Sequence, residues 1–113
     1  MKLVIDRAKW LRGEGSGPSR LLRKSDHKRC CIGFLCSALG VPDAQMENVG
    51  GSQNIASCGL LPDWLSELPT PIHDPDLFEA YHANDDESLS EEDRERSVAT
   101  ILAKHDVQVE FIN

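Results

Sequence analysis

The chain has 113 residues, 40% of them apolar, a mean hydropathy of −0.37 and a formal charge of −7, which bounds it to one domain, residues 1–113, with a modest core. No window approaches the roughly 18 apolar residues of a membrane span, and the three-residue apolar run before Asp6 is too short for a secretory leader; the expectation is a cytoplasmic protein with reduced cysteines and no membrane contact. The charge is split: residues 1–29 carry nine Lys/Arg against three Asp/Glu, residues 30–113 three against sixteen, so most of the chain should repel nucleic acid directly.

In chain order, Lys2–Asp6 reads as a short strand and Arg7–Arg12 as one helical turn that sends Trp10 and Leu11 inward. The run from Gly13 to Pro18 is a loop. It has a Gly-x-Gly pattern but no following Gly-Lys-Ser/Thr, and Glu14 would repel phosphate; Arg12 and Arg20 keep an anion site open beside the turn reading. Ser19–Arg23 reads as an extended piece. Cys31, Phe34, Leu35, Ala38 and Leu39 follow helical spacing, with Gly40 placed for a left-handed cap and Pro42 blocking continuation, so a short central helix is expected over about 31–39.

Pro42–Asn48 reads as a further helical turn, Val49–Gly59 as a long loop, Pro62–Leu65 as a helix start and Leu68–Pro75 as irregular chain. Leu77–Ala83 fits a strand or a helical turn and is taken as a strand, followed by a polar turn at 84–87. Ser90 opens the clearest helix, about 91–105, with Asp93 as its capping partner, carboxylates at its start, and Arg94, Val98, Ile101 and Leu102 inward. Val107, Val109 and Phe111 alternate with Gln108, Glu110 and Ile112, the pattern of a terminal strand with one buried face. The expected fold is α+β: three or four strands in a small, mainly antiparallel sheet with two or three helices, the terminal strand pairing with another, the first being a candidate.

Three groups of residues carry candidate chemistry. Cys30 and Cys31 open a helix behind five basic residues, and both features lower a thiol pKa; with His27, His73, His82 or His105 as base, and Asn84 or Asp85 as third member, they supply the parts of a cysteine hydrolase. The competing reading is a pair of small buried residues in a core helix. The four cysteines and four histidines fit zinc spacing only loosely, Cys31-x₄-Cys36 being followed by a distant Cys58, so no metal and no cofactor is expected. The acidic stretch from Asp74 to Asp93 lacks the calcium-loop pattern. Asp85, Asp86, Glu87, Glu91 and Glu92 form its candidate partner-binding set, which can imitate phosphate charge in a basic groove; the competing reading is a solvated face.

The succession Trp10-Leu-Arg-Gly13, Ser19-x-Leu-Leu22, Arg29-Cys-Cys-Ile-Gly33, Gly40, Asn84-Asp-Asp86 and Glu95, closing on Val109-Glu110-Phe111, resembles a group of small phage and prophage proteins that often read Cys-Cys-Leu-Gly at the third of these motifs and end in an Asn-Asp-Asp turn, a helix and a short strand. The resemblance touches most of the chain and implies a viral origin and a role inside the infected cell; it carries no catalytic assignment. The leading expectation is a small acidic phage-encoded accessory protein that binds and inhibits a host protein through that protein's basic surface, with CRISPR–Cas and other anti-phage effectors as natural targets. The alternatives are a cysteine-dependent enzyme using Cys30 or Cys31 with His82, and a small-ligand, nucleotide-binding protein built on Arg12–Arg29 and the loop Val49–Gly59.

Overall fold

A computed structural model of the chain describes residues 1–55, 59, 61–66 and 75–113. Strand β1, Lys2–Asp6, alternates exposed and buried residues, sending Leu3 and Ile5 inward. It runs into a 3-10 turn, Arg7–Lys9, whose first turn is capped by the Asp6 carboxylate accepting from the Ala8 N–H at 2.9 Å. Trp10 and Leu11 follow, both buried. Residues 19–23 form no strand; Leu22 makes a single bridge to Glu47, and Leu21 and Leu22 are fully buried.

Helix α1, Cys31–Ala38, is the centre of the molecule. Cys31, Ile32, Gly33, Leu35 and Cys36 are all buried, so it has almost no solvent face. Each fully buried Leu or Ile there contributes about 2 kcal/mol from apolar transfer. Gly33 is required by packing. A Cβ at this position would lie 1.9 Å from the Leu21 carbonyl oxygen, so the extended 19–23 segment lies directly on the helix backbone. Gly40, at φ +98°, ends the helix in the left-handed region.

Two short helices follow, α2 (Asp43–Met46) and α3 (Asp63–Ser66), with a 3-10 turn at Ser52–Asn54 between them. The irregular chain expected over 68–75 falls largely outside the described residues. Helix α4 spans Pro75–Asp85 and buries Leu77, Ala80, Ala83 and Asn84 against the core. The strand expected over 77–83 is therefore a helix. Its inward side presents two alanines and an amide, a face too weakly apolar to register as helical periodicity, while Pro75 sits at the first helical position. Helix α5, Glu91–Ala103, is capped by Ser90 Oγ accepting from the Asp93 N–H at 3.2 Å, and buries Arg94, Val98, Ile101 and Leu102. Asp106, at φ +61°, turns the chain into β2, Gln108–Ile112.

The sheet corrects the expectation of a mainly antiparallel arrangement of three or four strands. Among the described residues it has two strands, β1 and β2, and they are parallel, in register from Lys2 opposite Gln108 to Asp6 opposite Ile112. Alternation along a strand is the same for either direction, so the pattern of Val107–Ile112 carried no information about orientation. A parallel pair needs a crossover, and the helical layer between the strands provides it. Among the described residues no helix is long and apolar enough to cross a membrane.

Replacing Gly33 by alanine forces the added methyl into the Leu21 carbonyl. The expected cost is at least about 2 kcal/mol, read as a lowered urea midpoint at unchanged slope; a variant within 0.5 kcal/mol of the parent would mean that the 19–23 segment is free to move away.

Candidate functional site

The C-terminal end of α4 is where distant parts of the chain meet. The Asn84 side chain is fully buried and all four of its hydrogen bonds are made. Its Oδ1 accepts from the Trp10 indole N–H at 2.8 Å and from the Cys31 backbone N–H at 2.9 Å. Its Nδ2 donates to the Leu11 carbonyl at 2.9 Å and to Asp85 Oδ1 at 3.0 Å. The Cys31 N–H is one of the donors that every helix leaves unpaired at its start, and the preceding residue, Cys30, makes no side-chain cap. Asn84 supplies that cap from another helix.

The glycine-rich loop completes the junction. The Gly13 N–H donates to the Asn84 carbonyl at 2.8 Å and the Gly15 N–H to the Asp85 carbonyl at 2.9 Å. These are the carbonyls a helix leaves unpaired at its end, so the loop caps α4. The same N–H groups are thereby unavailable for cradling phosphate. Gly15 takes φ +80°, and a Cβ there would sit 2.9 Å from the Glu87 carboxylate.

With the loop held this way, an open cavity of about 750 Å³ forms between it and the outer face of α4, lined by Gly15, Ser16, Phe78, Tyr81, His82, the acids Asp85, Asp86 and Glu87, and Ser88. Phe78, Tyr81, His82 and Asp85 are spaced i, i+3, i+4, i+7 and share one helix face. The Phe78 and His82 rings are stacked with centroids 6.0 Å apart. The Tyr81 hydroxyl accepts from the Ser52 N–H at 3.0 Å, which fixes the ring as a wall; burial raises its pKa. Asp86 accepts from the Ser88 N–H and hydroxyl at 2.8 and 2.6 Å, and these bonds hold its carboxyl below the usual range. Asp85 is pushed the other way. Burial raises its pKa, opposed by hydrogen bonds from Asn84 and Ser19 and by the charges of His82 and Arg94.

Of the five acids singled out in the sequence, the structure brings Asp85, Asp86 and Glu87 together and places Glu91 and Glu92 elsewhere. Glu91 accepts from Arg12 Nε at 2.7 Å, and Glu92 pairs with Arg96 at 3.0 Å on the solvent side of α5. The basic and acidic parts of the chain do meet: Arg7 forks onto Glu95 with two bonds of 2.8 Å, and Arg29 contacts Asp43 at 2.9 Å. Arg20 donates to the carbonyls of Gly17 and Ser19, and Arg23 binds Asp26. The arginines of the basic segment are thus occupied within the protein, which leaves little of an anion site there.

Cys30 and Cys31 lie in the core, with Cys31 Sγ 3.8 Å from the Ala80 carbonyl on the inner face of α4. His82 is on the outer, exposed face of the same helix. Burial pushes the Cys30 thiol up to about 12 and raises Cys31 well above its ordinary value, the reverse of the lowering a nucleophile needs. Cys36 is likewise pushed up to about 12 by burial, while Cys58 and His73 fall outside the described residues. Among the described residues no cluster of three His, Cys, Asp or Glu is arranged to hold a metal ion.

Phe78, Tyr81, Ser16 and Ser88 are the cavity residues that reading by sequence missed. Taking 77–83 as a strand put Phe78 and His82 on one side and Tyr81 on the other; helical spacing was the available signal. Compared with known protein families, curated proteins and solved structures, the chain matches none.

Two outcomes test the junction. Asn84→Ala strips the partners from a buried indole N–H and a buried backbone N–H and is expected to cost about 3 kcal/mol or more, against about 0.5 kcal/mol or less for the exposed Glu87→Gln, both measured by urea unfolding. Asp85→Asn keeps the acceptor for Asn84 and removes a carboxylate whose folded-state pKa is raised. Ionised Asp85 opposes folding above that pKa, and the cost is absent below the unfolded value near 3.9. The variant is therefore expected to be more stable than the parent at pH 7, with the gain vanishing as pH falls towards 3.5; an equal difference at both pH values would refute it.

Proposed function

We propose that this chain is a binding protein that docks on the basic surface of another protein through the cavity beside α4 and blocks a groove meant for nucleic acid. The observation that carries this reading is the gathering of Asp85, Asp86 and Glu87 around an aromatic wall while the other two acids of the sequence cluster are turned to arginines of the chain itself. Carboxylates at the mouth of a low-dielectric cleft attract cationic partners and repel nucleic acid. The buried, proton-holding thiols support binding over cysteine catalysis. The resemblance to small phage and prophage proteins supports a host target inside the infected cell, with the nucleic-acid grooves of CRISPR–Cas and other anti-phage effectors as the class whose charge is complementary.

The test is capture from a bacterial host lysate at low and moderate salt, comparing the parent with Asp85→Asn/Asp86→Asn/Glu87→Gln and with Glu92→Gln. The parent is expected to enrich a nucleic-acid-binding protein, with enrichment falling as salt rises, and the purified pair should lose affinity for nucleic acid. The triple variant should lose at least about tenfold in affinity and Glu92→Gln less than about twofold, since fully desolvated charges outweigh rim charges. Undiminished capture by the triple variant would overturn the reading.

A further inference from the structure

The cavity beside α4 is walled by rings before it is rimmed by charge. Phe78 is 37% exposed, more than any other aromatic residue of the described core, and it opens into this space. Tyr81 forms a second ring wall held by Ser52, and His82 stacks against Phe78. Asp85, on the same helix face, and Asp86 and Glu87 just beyond it rim the cavity, and their remaining acceptor capacity differs. Asp86 is occupied by Ser88 and Asp85 accepts from Asn84 and Ser19, while among the described residues no ion pair or hydrogen bond engages the Glu87 carboxylate. The buried Arg94 points its guanidinium at the carbonyls of Asp86 and Leu89 and makes no direct hydrogen bond to the carboxylates of the cavity.

A wall of π-faces beside carboxylates with acceptor capacity left over selects a flat, weakly hydrated cation that can stack and fork at once. That describes a guanidinium better than an ammonium, which is a compact and strongly hydrated point charge. The chain uses this combination itself: Arg12 lies 4.7 Å over the Trp10 ring while donating to Glu91, and Arg7 lies 5.7 Å over Phe111 while forking onto Glu95. Phosphate-bearing ligands are excluded by the three carboxylates.

We propose that the cavity receives an arginine side chain of the protein partner, its guanidinium lying on Phe78 and bonded to Asp85 and Glu87. The inference rests on the docking reading and gives it a specific anchor. Arginine is among the residues that carry most energy in protein interfaces, and a single one entering an aromatic cleft fixes register as well as charge.

The probe is N-acetyl-arginine amide titrated into the full chain and followed by NMR, with the lysine analogue and the uncharged isostere citrulline as parallel arms. The arginine compound should shift the Phe78, Tyr81, His82 and Asp85 resonances with a saturating millimolar curve, citrulline should bind at least about fivefold more weakly, and lysine should fall between. Phe78→Ala and Glu87→Gln, both at exposed positions, should each weaken arginine about 3- to 10-fold. Shifts equal for citrulline, shifts scattered over the acidic surface, or binding untouched by both variants would overturn the proposal. If arginine fails to bind but the triple variant still loses its captured partner, the anchor is wrong and the docking surface stands. If arginine binds as expected and capture is unaffected by the triple variant, the anchor stands and the docking reading falls.

Discussion

One buried amide holds this molecule together. Asn84 ties the Trp10 indole, the Leu11 carbonyl and the first N–H of α1 to the end of α4, and its own carbonyl anchors Gly13. Three segments, residues 10–13, the start of α1 and the end of α4, converge on one residue. A buried network of this kind is worth having only when every member is satisfied, and here the amide has two donors and two acceptors in place. Its orientation is fixed by chemistry: the oxygen faces two N–H groups and the nitrogen two oxygens. The cavity depends on it, because the loop that forms one wall is hung from the carbonyls of Asn84 and Asp85.

The charge split of the sequence takes on a different meaning in three dimensions. The basic N-terminal quarter is folded over the acidic remainder, with Arg7, Arg12 and Arg29 each engaged by a carboxylate of another element. Exposed pairs of this sort contribute little stability singly. Their larger effect is to sort the acids: Glu91, Glu95 and Asp43 are paired, while among the described residues Asp85 and Glu87 form no ion pair with a lysine or arginine, the charge of the buried Arg94 still acting on Asp85.

Reading the sequence located the elements whose periodicity is strong. The spacing of Cys31, Phe34, Leu35 and Ala38 and the Ser90–Asp93 start marked helices near where α1 and α5 lie, and the alternation of Val107–Ile112 marked a strand. Strand direction was beyond its reach because parallel and antiparallel edges share one alternation. Helix α4 was misjudged because its inward face is Ala80, Ala83 and Asn84, small or polar residues whose burial is decided by what they touch. The same error hid the aromatic face of Phe78 and Tyr81, so the acids of the site were legible and its walls were not. Cys30 and Cys31 were open to two readings, an activated thiol at a helix start or a pair of small buried residues, and the structure supports the second, because the pKa is governed by depth in the core, a property of the whole fold.

The parallel pairing of β1 with β2 also sets the order in which the protein can be assembled. Leu3 pairs with Val109, so β1 leaves the ribosome well before its partner and stays unpaired until β2 has been made. Closing a loop of that length costs about 4 kcal/mol in chain entropy, and the strand gains nothing from its neighbour until that has been met. Helices α1, α4 and α5 have local hydrogen bonds and can form first, leaving Leu3 and Ile5 waiting in solvent or on non-native surface. The sheet is therefore a clasp fastened only after β2 has been made, and the apolar strand it covers is the part of the nascent chain most in need of protection while it waits.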